Sequence, residues 1–125
     1  SRLRLPPDLS PAEKEGCIAD ILDTVGLTHR RGTVIRMLSG GQVKRACLAN
    51  EILCKPNLLF LDEVTSGLDE LTDSEMMDLF RQIALDGKTV VCITHSLTNV
   101  ERTASLVVLL TPGGKLAFVG TPAEA

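Results

Sequence analysis

The sequence predicts an α/β fold, in which helices flank a parallel sheet and a C-terminal β-hairpin closes the chain. Three observations carry that prediction. Apolar stripes at helical spacing alternate with unbroken apolar runs at 58–61 and 89–94, of the kind that build buried parallel strands. Helix starts are marked at Ser10, with Pro11 in the first helical position and Glu13 completing a capping box, and again at Ser39-Gly40-Gly41-Gln42. Near the C-terminus, Pro112-Gly113-Gly114 separates two strand-like runs.

The elements follow in order. After a Pro-containing lead at 1–9, Cys17, Ile18, Ile21, Leu22 and Val25 form the apolar stripe of a packing helix that Gly26 stops. A polar connector at 29–36 leaves His29 on the surface. The second helix runs from Ser39 to about 54, where Pro56 ends it. The run at 58–61 has no alternation, which predicts a strand covered on both faces. A loop at 64–69 leads to a third helix, 71–85, with Met76, Met77, Phe80, Ile83 and Ala84 as its buried face. Asp86-Gly87 ends that helix, and a buried strand at 89–94 completes a βαβ unit with parallel strands. A short helix at 97–104 precedes the hairpin strands, 106–111 and 115–119. Thr121-Pro122-Ala123-Glu124 repeats the capping-box pattern within one turn of Ala125, which reads as the start of a helix lying beyond this sequence.

Composition bounds the function. The 125 residues, 44% of them hydrophobic and 2% aromatic, suffice for one domain with an aliphatic core. A net charge of −3 argues against nucleic acid as the main partner, because binding to a phosphate backbone needs clustered Lys and Arg. No apolar run reaches the ~18–20 residues that span a bilayer, and the first residues do not read as a signal peptide. Cys17, Cys47, Cys54 and Cys92 lack a Cys-x-x-Cys spacing and lie in apolar or helical stretches, so they are expected to be reduced, buried thiols.

The chemistry gathers at strand ends. In open α/β sheets ligands bind at the carboxyl edge. Asp62-Glu63 ends the first strand and His95 lies just past the second. Phosphoryl transfer needs a metal, an oriented water and hydrogen-bond donors for the γ-phosphoryl oxygens. Asp62 suits Mg²⁺ held through water, Glu63 suits the base that polarises the attacking water, and His95 can donate to the γ-phosphate or bridge it to Glu63. The amides of Ser39, Gly40 and Gly41 open a helix N-terminus, where an anion is favoured and a Cβ would block its approach.

Leu38-Ser39-Gly40-Gly41-Gln42 and Leu58-Leu59-Phe60-Leu61-Asp62, in this order, resemble the signature and Walker B motifs of an ABC ATPase. The resemblance covers nearly the whole chain. It implies a partial P-loop NTPase-type sheet with part of the ABC helical subdomain, the latter over about 1–54 and the core part over about 55–125. By the same likeness Glu63 is the catalytic carboxylate, Ser66-Gly67-Leu68-Asp69 the D-loop and His95 the switch histidine. In that family two domains pair head to tail, so Ser39, Gly40, Gly41 and Gln42 would meet ATP held by the partner. Asp62, Glu63 and His95 would serve ATP on their own domain, and Ser66 and Asp69 are implied nucleotide-binding positions.

Arg4-Leu5-Pro6, Lys44-Arg45 and the run from Gly114 to Gly120 resemble the G-type (White) transporters and their bacterial relatives. That implies ATP-driven export through a permease domain outside this chain, at the cytoplasmic face of a membrane. Val64 stands where the family has Pro. The family's P-loop, Q-loop and adenine-stacking aromatic have no counterpart in these residues, so the chain alone is expected to be inactive. Two other readings are open: a non-transport ABC ATPase of chromosome maintenance or DNA repair, and a module that only dimerises.

Overall fold

The computed structural model describes residues 9–125; the expectations for Arg4-Leu5-Pro6 and the rest of 1–8 lie outside the described residues. The order is α1 (Pro11–Thr24), α2 (Gly40–Ile52), β1 (Leu58–Asp62), α3 (Glu70–Leu85), β2 (Thr89–Ile93), α4 (Val100–Thr103), β3 (Val107–Thr111) and β4 (Lys115–Gly120). Short 3-10 turns at Thr28–Arg30 and Ile35–Met37 join α1 to α2, and a third, Pro122–Glu124, follows β4.

Both capping boxes form. Ser10 and Glu13 satisfy each other's backbone amides at the start of α1, and Ser39 and Gln42 do the same for α2. Such reciprocal bonds use two of the orphan donors that every helix start leaves open. Thr121 and Glu124 make a third box, which opens only the 3-10 turn.

Two sheets result. β1 and β2 pair in parallel, with Leu59 beside Val90 and Leu61 beside Cys92. β3 and β4 pair antiparallel with a register irregularity at Leu109/Leu110. The core lies between the helices and one face of the parallel pair. It is built from Val25, Leu27, Leu48, Ala49, Ile52, Leu59, Leu61, Met76, Met77, Leu79, Phe80 and Ile83.

Four expectations need correction. Among the described residues, the parallel strands are covered on one face only. Leu59 and Leu61 are buried at 4% exposure, whereas Phe60 is 69% and Ile93 53% exposed. The two-residue period of a strand sends alternate side chains to opposite faces, and α3 supplies cover on one of them. Ala84 is exposed, because it falls outside the arc that Met76, Phe80 and Ile83 turn to the sheet. The cysteines form no disulfide, but Cys47 and Cys54 are exposed and Cys17 and Cys92 half-buried. Burial pushes the Cys92 thiol pKa up, and the Asp73 charge adds to the shift. The short fourth helix is also trimmed, to Val100–Thr103, with Asn99 in the left-handed region at its start.

Candidate functional site

β1 ends in a tight reversal. Glu63 has φ +46°, a left-handed conformation that costs a non-Gly residue about 1–3 kcal/mol unless its surroundings hold it. Backbone bonds do hold it. The Glu63 amide donates to the Ile93 carbonyl at 2.9 Å, and the Glu63 carbonyl accepts from the Ser66 amide at 3.0 Å. The first bond extends the β1–β2 ladder by one residue. The reversal therefore carries the Glu63 side chain to the segment that follows β2.

His95 stands there. Its Nδ1 lies 3.5 Å from Glu63 Oε1, the two side chains being 71% and 55% exposed. They face an open cleft of about 450 Å³, lined also by Thr65, Ser66, Gly67, Asp73, Thr94 and Ser96. The Ser96 amide donates to Thr94 Oγ1 at 3.0 Å and so shapes the turn around His95. Of the three residues expected at the strand ends, Glu63 and His95 meet in this cleft, with Ser66 beside them.

Asp62 is not part of that cleft. It lies on the exposed side of β1 with Leu58 and Phe60, opposite the buried Leu59 and Leu61. Its carboxylate has no hydrogen-bond or ion-pair partner among the described residues. A solvent-facing, uncommitted carboxylate fits Mg²⁺, which keeps several waters and takes only one or two carboxylates from a protein. No group of three or more His, Cys, Asp or Glu among the described residues forms a closed metal cage.

The Ser39 loop makes a second cleft. Ser39, Gly41 and Gln42 line a depression of about 290 Å³ with Gly26, Leu27, His29, Arg45, Thr72 and Glu75. Arg45 braces it, donating to the Val25 carbonyl at 3.2 Å and pairing with Glu75 at 2.6 Å. The two glycines differ. A Cβ on Gly40 would meet nothing within 4 Å, whereas one on Gly41 would come within 2.7 Å of Thr72 Cγ2. Bare backbone at Gly41 therefore serves packing of α2 on α3, and at Gly40 it faces open space.

Asp69 has a structural duty that sequence reasoning did not assign. It caps α3, accepting from the Thr72 amide at 3.0 Å and from the Thr72 hydroxyl at 2.7 Å. Asp69-x-x-Thr72 was a signal for that cap. The Thr72 amide, and then its hydroxyl, hold the Asp69 carboxyl below its ordinary range. A carboxylate depressed in the folded state contributes stability above its unfolded pKa of about 3.9, and this is lost as pH falls through the lower, folded value. Asp69→Asn keeps a good cap without that titration. Thermal midpoints measured below about pH 4 are expected to fall less steeply in Asp69→Asn than in the parent. Equal slopes would show that the Asp69 cap contributes nothing to the acid limb. Asp73 is a second residue missed by sequence reasoning. It is buried at 9% exposure on the wall of the Glu63 cleft, accepts from Asn99 Nδ2 at 3.0 Å, and had no motif to mark it.

The sequence profile of the family described as ABC transporter matches residues 4–66. The chain is 44% identical over 124 residues to an ABC transporter ATP-binding/permease protein of Mycobacterium tuberculosis, covering 99% of this chain and 14% of that protein. The chain belongs to the ABC transporter family, as an ATP-binding domain. ABC transporter G family member 22 of Arabidopsis thaliana shares 36% identity with it, over 100% of this chain and 17% of that protein. Among solved structures, the ABC domain here is similar to cbiO1 of Clostridium perfringens, described as part of the ABC transporter complex cbiONQ. The TM-score is 0.86 at 29% identity, over 94% of this chain and 47% of that one. The chain thus spans about half the length of that structure and a smaller share of the curated relatives. No helix of this ABC domain among the described residues is long and apolar enough to cross a membrane.

Proposed function

We propose that residues 1–125 supply one half of the ATP-hydrolysing engine of an ABC exporter of the G type. The observation that carries this reading is the Glu63–His95 pair, 3.5 Å apart at the carboxyl edge of the parallel strands. Glu63 takes the proton of the attacking water, and His95 orients Glu63 and donates toward the γ-phosphoryl oxygens. Asp62 would hold Mg²⁺ through water, and that ion, when bound, would neutralise charge on the triphosphate.

Two separate clefts support a divided site. Glu63, His95 and Ser66 face one, and Ser39, Gly41 and Gln42 face the other. A head-to-tail pair of domains would bring the Ser39 cleft of one to the nucleotide of its partner, with Gly40 leaving room for the phosphates and Gln42 fixing the helix start. Asp69 acts from the cap of α3, holding the loop that presents Ser66. The printed names of the relatives, an ATP-binding/permease protein and a G family member, support coupling to a permease at the cytoplasmic face of a membrane.

Residues 1–125 contain no Gly-x-x-x-x-Gly-Lys-Ser/Thr, so the phosphate cradle must come from outside them. ATP hydrolysis by the product of the full open reading frame, beside this 125-residue piece, tests the reading. Turnover by the first and none by the second is expected. Turnover by the piece alone would mean that its phosphate-binding element lies elsewhere in these residues and that the divided-site reading is wrong.

A further inference from the structure

We propose that Lys44 is a positioning residue, whose ammonium pins the loop that presents Glu63 and ties that loop to the signature helix. This rests on the reading of Glu63 as the base. Lys44 lies in the second turn of α2, and its Nζ donates to the backbone carbonyl of Ser66. That carbonyl belongs to the turn closed by the Ser66 amide on the Glu63 carbonyl, at 3.0 Å. The turn continues through the Leu68 amide on the Thr65 carbonyl, at 3.1 Å, with Thr65 buried at 6% exposure.

Glu63 needs such support. At φ +46° it occupies a sparsely populated conformation that persists only where several contacts over-determine it. The Ile93 carbonyl fixes its amide and the Ser66 amide fixes its carbonyl. Lys44 fixes the far side of the same turn, from a different element. A charged donor on a carbonyl is a stronger tie than a neutral one.

The tie also joins the two clefts. Ser39 and Gln42, at the start of the same helix, line the Arg45 cleft, while Ser66 lines the Glu63 cleft. Gly41 against Thr72 is a second contact between the start of α2 and the Asp69 cap. A displacement of α2 when a nucleotide meets Ser39 therefore reaches the Ser66 carbonyl, and through it the backbone of Glu63.

The test is steady-state ATP hydrolysis by the full open reading frame product carrying Lys44→Met, Lys44→Arg or Glu63→Gln, with thermal midpoints for each. Lys44→Met is expected to lower kcat about tenfold, the scale of one charge-assisted hydrogen bond, with KM for ATP within about twofold. Lys44→Arg, which keeps a charged donor, should recover most of that loss. If Lys44→Met leaves kcat within about twofold of the parent, the proposal is wrong. If kcat, KM and midpoint all fall and Lys44→Arg restores none of them, Lys44 is only structural and the proposal also fails. Full turnover by Glu63→Gln would overturn the reading of Glu63 itself, and the role of Lys44 with it. Loss in Glu63→Gln beside a normal Lys44→Met refutes the positioning role alone.

Discussion

In the full open reading frame product, Glu63→Gln is expected to lower kcat for ATP hydrolysis by about 10²–10⁴-fold while ATP binding persists. Glutamine keeps the shape and length of the side chain, so the left-handed turn at φ +46° faces no new steric demand. What disappears is the ability to take a proton from water. Asp62 lies on the other side of β1, and the Ser39 cleft is separate, so the groups proposed to hold nucleotide stay in place. The measurement is ATP turnover beside equilibrium binding of ATP. A variant that binds and turns over ATP at the parental rate would remove Glu63 from the chemistry. One that loses binding as well would point to a collapsed loop rather than a missing base.

The second large effect separates two adjacent glycines. Gly41→Ala places a methyl 2.7 Å from Thr72 Cγ2 and 3.9 Å from Leu68 Cδ2. Thr72 cannot swing aside freely, because its hydroxyl is bound by Asp69 Oδ2 at 2.7 Å. The start of α2 must move off α3, an overpacking that costs about 1–3 kcal/mol. Gly40→Ala meets nothing within 4 Å and lies in the first turn of the helix, so the folded domain tolerates it. The thermal midpoint is expected to drop for Gly41→Ala and to hold for Gly40→Ala, while ATP turnover of the full product falls in both. Gly40→Ala with parental turnover would mean that no ligand approaches that backbone. An unchanged midpoint in Gly41→Ala would show that the α2–α3 contact relaxes without cost.

Much of this was legible in the sequence. The boxes at Ser10 and Ser39 form because a hydroxyl and a residue three positions later satisfy each other locally, with no help from distant packing. The parallel pairing and the meeting of Glu63 with His95 follow from strand ends that share one edge. Other features were hidden for physical reasons. The run Leu58-Leu59-Phe60-Leu61 reports apolar character but not which face is covered, and here α3 covers only the Leu59–Leu61 side. Asp69 reads equally well as a ligand group or as a helix cap, because the Asp69-x-x-Thr72 spacing that marks the cap does not exclude a ligand role. Asp62 and Glu63 are adjacent, and strand alternation alone sets them on opposite sides; what no pattern marked is the left-handed reversal at Glu63. Cys47 and Cys54 looked apolar in context but lie outside the buried arc of α2, where Leu48, Ala49 and Ile52 take the core positions.

Among the described residues, the hairpin of β3 and β4 shares no buried core with the helices and the parallel pair. The contiguous apolar cluster draws its buried members from Val25 to Ile83 and none from the hairpin, where Val108, Leu110, Leu116 and Val119 are each more than half exposed. Opening the hairpin therefore exposes little apolar surface that was not already wet, and its ladder is free to break and reform without disturbing Met76 or Phe80. In the 125-residue piece, amide protons of β3 and β4 are expected to exchange through that local event and those of α3 only through loss of its core, which gives the piece two tiers of cooperativity along one chain.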